Sequence, residues 1–225
     1  MIDKKAFYQL SYGMYIISTL DGERPVGCVV NTFAQLTSAP FRVSVALNKE
    51  NATTKAVLKS GRYVATCLST DASMDLIGTF GFRSSDEVDK FADFAPSFDQ
   101  AGIPFVNQQC VARFSVRVID HIDVGSHLLF VGEVEEAEAM PGEPMTYAYY
   151  HAVKGGKTPP KASSYVPEDE QQAQGEAAGA QAESGSHIAW QCTICKHIVE
   201  VDELPDDFKC PICGMGKDKF VRIEQ

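Results

Sequence analysis

The chain has 225 residues, of which 44% are apolar, and carries a formal net charge of −10 with a pI near 4.9. A chain of this length can bury one substantial core and still form a small second module, so we expect two domains. The acidic surface argues against nucleic acid as a partner, because phosphate contacts need a surplus of Lys and Arg.

The apolar residues are distributed in a way that predicts a cytoplasmic protein. Tyr, Gln, Ser and Gly interrupt the apolar run near the N-terminus, and no small-residue cleavage site follows it, which is unlike a signal peptide. No stretch has the length of about 18 apolar residues that a spanning helix needs, so we expect no membrane association.

Short β-rich runs separated by Gly, Pro, Asn and Asp fill the chain up to about Tyr150. The predicted strands are 15–19, 26–31, 42–47, 63–68, 111–120, 127–139 and 147–153. The predicted helices are 3–11, 51–60 and 73–80, packed outside the strands. This number of strands suits a closed barrel, so the predicted fold class is mainly β with peripheral helices.

The composition changes sharply near Pro167, where Gln, Ala, Glu, Gly and Ser replace the large apolar residues. We predict a first domain over residues 1–165, a flexible linker over 166–187 and a small metal domain over 188–225. About twenty such linker residues behave as a coil with a root-mean-square span of roughly 25 Å.

Two Cys-x-x-Cys pairs, separated by fourteen residues, lie near the C-terminus. The predicted ligands are Cys192, Cys195, Cys210 and Cys213. Such turns can close four thiolates around one tetrahedral metal, with backbone N–H groups bonded to the sulfurs. A module this short has little core, so metal binding must supply much of its folding free energy. The remaining cysteines stand in apolar runs and are predicted to be buried and inert: Cys28, Cys67 and Cys110.

The residues around these pairs bear on the metal, since four thiolates accept either iron or zinc. Trp190 stands two residues before the first cysteine, and Lys219-Phe220 follows the last pair. Together they resemble rubredoxin, and the short loop between the pairs is similar to the rubredoxin-like ends of rubrerythrins. The resemblance implies one iron ion beside packed aromatic rings; structural zinc is the alternative.

Three phrases mark the first domain: NTFAQLTS from Asn31, NKENATT from Asn48 and GFRSS from Gly81, which is followed by DKF. They closely resemble the flavin reductase family, whose fold is an FMN-binding split β-barrel, and the resemblance runs over residues 1–165. It implies FMN as the cofactor.

Hydroxyls, amides and cations in these phrases are the groups that bind a phosphate dianion. The predicted phosphate set is Thr37, Ser38, Asn48, Lys49, Asn51, Thr53, Thr54, Arg83 and Lys90. Asn51 stands where a helix begins, which favours that phosphate. Candidates for the rest of the cofactor are Asn31, Thr32, Gln35, Phe82 and Ser84, with His151 near the nicotinamide. The alternative is that the loop hydroxyls and amides only form turns, that Phe82 fills the core and that His151 is structural.

No Gly-x-Gly-x-x-Gly follows a strand, so NAD(P)H must stack directly on the flavin in an open cleft. We expect no catalytic side chain, because the cofactors carry the chemistry. The fusion resembles the high-molecular-weight rubredoxins of anaerobes. That implies a homodimer that passes electrons from NAD(P)H through FMN and iron to a redox partner, such as a flavodiiron oxygen or nitric oxide reductase. The alternatives are a reductase that releases reduced flavin and carries a structural zinc ribbon, and a non-enzymatic carrier like flavoredoxin.

Overall fold

The computed structural model describes residues 2–154, 157–159, 162, 188–195, 197–210 and 213–224. Its strands are β1 (Tyr15–Asp21), β2 (Arg24–Val30), β3 (Ala34–Ser38), β4 (Phe41–Asn48), β5 (Arg62–Leu68), β6 (Ser97–Phe98), β7 (Pro104–Phe105), β8 (Cys110–Asp123), β9 (His127–Ala139), β10 (Ile188–Cys192), β11 (Ile198–Glu200) and β12 (Phe220–Glu224). Its α-helices are α1 (Ala52–Ser60), α2 (Met74–Phe82) and α3 (Tyr147–Ala152), and Lys4–Gln9 and Lys217–Lys219 form 3₁₀ turns.

The larger module is built on one seven-stranded antiparallel sheet with the order β2-β1-β5-β8-β9-β4-β3. The sheet ends at β2 on one side and at β3 on the other, so it is a split barrel. This architecture confirms the predicted fold class of mainly β structure with peripheral helices.

Side chains on both faces of the central strands are buried, because successive residues of a strand point to opposite faces and both faces are covered there. Ile17 points into a cluster with Val45, Tyr63 and Phe130, whereas its neighbour Ile16 packs with residues of α2 on the opposite face. α2 therefore closes one face of the sheet and is fixed against it by burial of apolar side chains.

The helices predicted to begin at Asn51 and Ser73 are confirmed, and each begins with a side-chain cap. Asn51 caps α1 by accepting a hydrogen bond from the backbone N–H of Thr53, and Ser73 caps α2 by accepting one from Leu76. Each cap satisfies a backbone donor that the first helical turn leaves without a partner.

The strand predicted over 147–153 is wrong, because the segment forms α3. Thr146 caps α3 through its hydroxyl, which accepts from the N–H of Tyr149. The run of aromatic residues suggested a strand, but a cap and local hydrogen bonds outweigh that propensity. β3 was not predicted as a strand, and the helix predicted over 3–11 is a 3₁₀ turn.

The smaller module contains a three-stranded sheet with the order β11-β10-β12. Its buried side chains include all of its cysteines except the half-buried Cys195. The linker predicted over 166–187 lies outside the described residues. Among the described helices, none has the length and hydropathy to cross a bilayer.

Candidate functional site

A cleft in the larger module lies between the sheet and the helices, and encloses about 760 Å³ of empty space including its open mouth. One wall is apolar and comes from β2, β4, α2 and α3. Its residues include Met14, Val29, Val30, Leu47, Ile77, Phe80, Tyr147 and Tyr150.

Polar residues also line the cleft. Five of the residues predicted to bind the cofactor line the cleft: Asn31, Asn48, Asn51, Phe82 and Arg83. Three of them carry amides and one carries a permanent cation, so the cleft offers hydrogen-bond donors, acceptors and a positive charge beside an apolar wall. That donor set fits a flat heteroaromatic ring system joined to a phosphate.

Several other predicted residues do not line the cleft but make hydrogen bonds to the backbone of residues that do. The Thr54 hydroxyl donates to the carbonyl of Asn48 at 2.6 Å, and the Thr32 hydroxyl donates to Ala46 at 2.9 Å. Thr53 is fully buried. These residues fix the strand and helix ends that present the cleft amides.

The structure places other predicted residues outside the cleft lining. Lys49 pairs with Asp123 at 2.6 Å, and the Ser84 hydroxyl accepts from the N–H of Asp86. Three more are exposed on the edge strand β3: Gln35, Thr37 and Ser38.

Lys90 was predicted to bind phosphate, but it is 2% exposed and donates to two backbone carbonyls. Its Nζ lies 2.8 Å from the oxygen of Gly27 and 3.1 Å from that of Phe80, in the last turn of α2. A helix leaves its last carbonyls without partners, and Lys90 satisfies one of them. Burial lowers the pKa of Lys90 to about 8.

Sequence reasoning missed several residues that line the cleft. His127, at the start of β9, pairs in register with Asn48 and was assigned no chemistry. Cys28 is buried as predicted, and burial raises the pKa of its thiol, yet it also lines the cleft. The pairing of β9 with β4 brings His127 beside Asn48, and no local motif in the sequence predicts this position.

A second hollow adjoins the first, and Tyr147 lines both. Its other residues include Phe7, Leu10, Tyr12, His151 and Thr158. The rings of Tyr147 and His151 meet edge to face with centroids 4.4 Å apart. The structure therefore places His151 beside the cleft rather than in it.

The four C-terminal cysteines form a compact cluster. Their sulfur atoms all lie within 4.8 Å of one another, with Cys192 to Cys213 at 3.6 Å and Cys195 to Cys210 at 3.5 Å. A tetrahedron with metal–sulfur bonds of about 2.3 Å has edges of roughly 3.8 Å, so the cluster has the size that one metal ion requires.

Backbone groups tune the sulfur atoms. The N–H of His197 hydrogen-bonds the sulfur of Cys195, and that of Met215 bonds the sulfur of Cys213, as the sequence predicts for such turns. A hydrogen bond from the Cys213 side chain lowers the pKa of Cys195 to about 5, and the same contact raises that of Cys213. The Cys195 thiol therefore ionises more readily than the Cys213 thiol. A bound cation would reduce the repulsion between the two thiolates and so favour ionisation of both.

A split barrel with an open cleft that combines amides, a guanidinium and an apolar wall, joined to a four-thiolate centre, is typical of an oxidoreductase made of two electron-transfer modules. The model of the flavin reductase like domain matches residues 7–156, and that of the rubrerythrin, rubredoxin-like domain matches residues 190–221. The chain therefore belongs to the flavin reductase-like family and carries a rubredoxin-like domain at its C-terminal end.

Relatives share one or both modules. The chain is 36% identical to the high molecular weight rubredoxin of Moorella thermoacetica, over 99% of this chain and 100% of that protein. It is 44% identical to a ferric-chelate reductase (NAD(P)H) of Archaeoglobus fulgidus, over 73% and 98% of the two chains. A crystal structure of nitrilotriacetate monooxygenase component B from Mycobacterium thermoresistibile superposes with a TM-score of 0.57 and 27% identity, covering 64% and 79%.

Proposed function

We propose that this oxidoreductase takes electrons from NAD(P)H into FMN held in the cleft, and passes them through iron held by the four cysteines to a redox protein. The observation that carries the proposal is the position of Phe82. Its side chain lines the cleft and also packs against the apolar core that surrounds the cysteines, so one residue of α2 links the two modules.

Different residues of the cleft are proposed to bind different parts of FMN. We assign the isoalloxazine ring to the apolar wall and its polar edge to Asn31. Arg83 and the region around Asn51 take the phosphate, because a guanidinium binds phosphate oxygens in a forked geometry and a helix begins beside Asn51. When bound, the flavin accepts a hydride and yields single electrons, which is chemistry that side chains do not supply.

The second hollow is the proposed approach for the nicotinamide. Tyr147 forms the boundary between hollow and cleft, so a ligand entering past His151 and Thr158 reaches the cleft mouth directly. The chain needs no separate nucleotide-binding fold for this mode.

The electron acceptor is proposed to be a separate redox protein, and a flavodiiron protein is one candidate. Cys195 is the one cysteine of the cluster that is not fully buried, so an external partner can approach the metal from its side. We place the protein in the cytoplasm, because free thiolates that bind a metal persist in a reducing compartment.

The larger module is proposed to form a homodimer. Leu36 and Phe41 are 50% and 61% exposed at the edge formed by β3 and β4, where a second copy could cover them. Gln35, Thr37 and Ser38 lie on this same edge, so dimerisation would also bring those predicted cofactor residues into a buried setting.

Rapid mixing with NADH and NADPH without oxygen tests the function. We expect the flavin absorption to fall first and the ferric-thiolate absorption to follow. Rapid flavin reduction followed by release of free reduced flavin would instead favour a flavin reductase. Failure of both nucleotides to reduce the flavin would favour a carrier that another protein reduces.

A variant tests the cofactor site. Arg83→Ala should weaken FMN binding by about tenfold or more, since a hydrogen bond to a charged group is worth roughly 1.5–3 kcal/mol. Arg117→Ala, on β8 and paired with Glu133 and Glu135, is the matched control and should leave FMN affinity unchanged. Equal affinity in both variants would remove Arg83 from the site.

A further inference from the structure

α2 presents two different surfaces to its surroundings. Leu76, Ile77 and Phe80 pack into the core of the larger module. Met74, Gly78 and Phe82 are spaced by four residues, so they share one stripe of the helix. Met74 and Phe82 pack against the core of the metal module, at the two ends of this stripe.

Gly78 lies at the centre of the stripe and faces Ile194. A Cβ atom built on Gly78 would lie 2.2 Å from Cγ2 of Ile194 and 3.3 Å from its carbonyl oxygen. Real atoms do not approach so closely, so Ile194 sits in a notch that only glycine leaves open. The other glycine on the helix, Gly81, would place its Cβ at an ordinary 3.5 Å from Val29.

Glycine inside a helix is less stable than alanine, so an interior glycine calls for a packing reason. The position of Ile194 supplies one. It stands between Cys192 and Cys195 in the first Cys-x-x-Cys turn and is 2% exposed. Seating Ile194 in the notch therefore fixes the metal-binding turn itself, and not a remote part of the module, against α2.

We propose that the stripe of Met74, Gly78 and Phe82 is the functional docking site of the chain's own metal module, with Gly78 as the positioning residue. The inference rests on the proposed function, because it explains how the metal comes within reach of the cleft. Docking places the cysteine turn against this stripe of α2, while Ile77 and Phe80 line the cleft and Phe82 contacts both the cleft and the metal module. The same helix then contacts both sites.

Hydrogen exchange of the metal-loaded full-length protein tests docking without any electron transfer. Gly78→Leu fills the notch with a good helix former and should increase exchange in the turn from Cys192 to Cys195. Asp75→Leu adds the same side chain at an exposed position of the same helix and is the matched control. Unchanged protection in Gly78→Leu would overturn the docking site.

A double-mutant cycle tests the notch itself. Gly78→Ala should slow reduction of the metal centre by about tenfold, the scale of coupling between residues in contact. Ile194→Ala removes the clashing atom, so the double variant should recover to the rate of Ile194→Ala alone. A role in helix stability alone predicts no recovery, since alanine in place of Gly78 favours the helix in either background.

Photoreducing the flavin with light and a sacrificial amine donor such as EDTA, instead of nicotinamide, keeps the two hypotheses apart. If light drives metal reduction in the parent protein but NADH does not, the proposed donor is wrong and docking stands. In a second outcome, NADH reduces the flavin, and the metal is reduced equally fast in the parent protein and in both variants, Gly78→Leu and Asp75→Leu. The docking site is then wrong, and NADH remains the proposed donor.

Discussion

The two modules of this chain reach stability by different means. The larger one buries two layers of apolar side chains on either side of a seven-stranded sheet, whereas the smaller one surrounds four cysteines with a few apolar residues such as Leu204 and Phe220. A large core can leave a cleft open at its edge and still fold. A module with little core depends on its metal, so its binding site and its folding nucleus are the same residues.

Loss of the metal should have the largest effect on stability and should unfold only the smaller module. Cys213→Ser removes one of four ligands, and structural metal sites of this class contribute about 10–16 kcal/mol, so we expect β10 to β12 to unfold. Cys67→Ala is the matched control and should retain one metal per chain. Hydrogen exchange measures both modules at once. Continued protection of β10 to β12 in metal-free protein would contradict the dependence.

A cavity in the core of the larger module should destabilise that module and leave the smaller, metal-binding module folded. Phe130 is fully buried on β9, so Phe130→Ala should lower the free energy of unfolding of the larger module by about 3–5 kcal/mol. The exposed Phe98 provides the control substitution Phe98→Ala. Metal absorption of the smaller module should survive the unfolding transition. Simultaneous loss of both modules would show that they fold as one unit.

Lys90 gives the larger module a characteristic pH dependence. Burial lowers its pKa from 10.5 to about 8, so the unfolded state binds more protons than the folded state between these values. The free energy of unfolding should therefore rise by roughly 2–3 kcal/mol from pH 8 to pH 10.5 through this group. Lys90→Met should flatten that rise in denaturant titrations at several pH values. An identical slope in the variant would mean that Lys90 titrates normally.

The smallest effect separates the two roles of Asn51, which caps α1 and lines the cleft. Asn51→Ala should lower the free energy of unfolding by about 1 kcal/mol, whereas Asn51→Ser keeps a capping oxygen and should leave it nearly unchanged. Both variants should weaken FMN binding, because serine is too short to reach the ligand. Full FMN affinity in Asn51→Ser would confine Asn51 to capping.

The sequence predicted local features well because each depends on neighbouring residues. The helix starts near Asn51 and Ser73 match the prediction, the β9 boundaries match the predicted 127–139, and the cysteine spacing indicated the metal site. The run at Tyr147 was misjudged because aromatic residues suit strands, while the cap at Thr146 decided the outcome.

Long-range features could not be predicted in the same way. His127 lines the cleft because β9 pairs with β4. Lys90 lies outside the cleft lining because its ammonium group donates a hydrogen bond to a carbonyl of α2. The contact between Gly78 and Ile194 joins residues more than a hundred positions apart. Such pairings depend on tertiary packing, and a single sequence contains no local signal for them.

Metal analysis and a visible spectrum of the purified chain, followed by titration with NADH without oxygen, test the central claim most directly. The relay predicts one iron and one flavin per chain, and complete bleaching of both at about 1.5 equivalents of NADH, because the flavin takes two electrons and the iron one. Zinc in place of iron after growth with ample iron, with flavin bleaching alone at one equivalent, would contradict the relay.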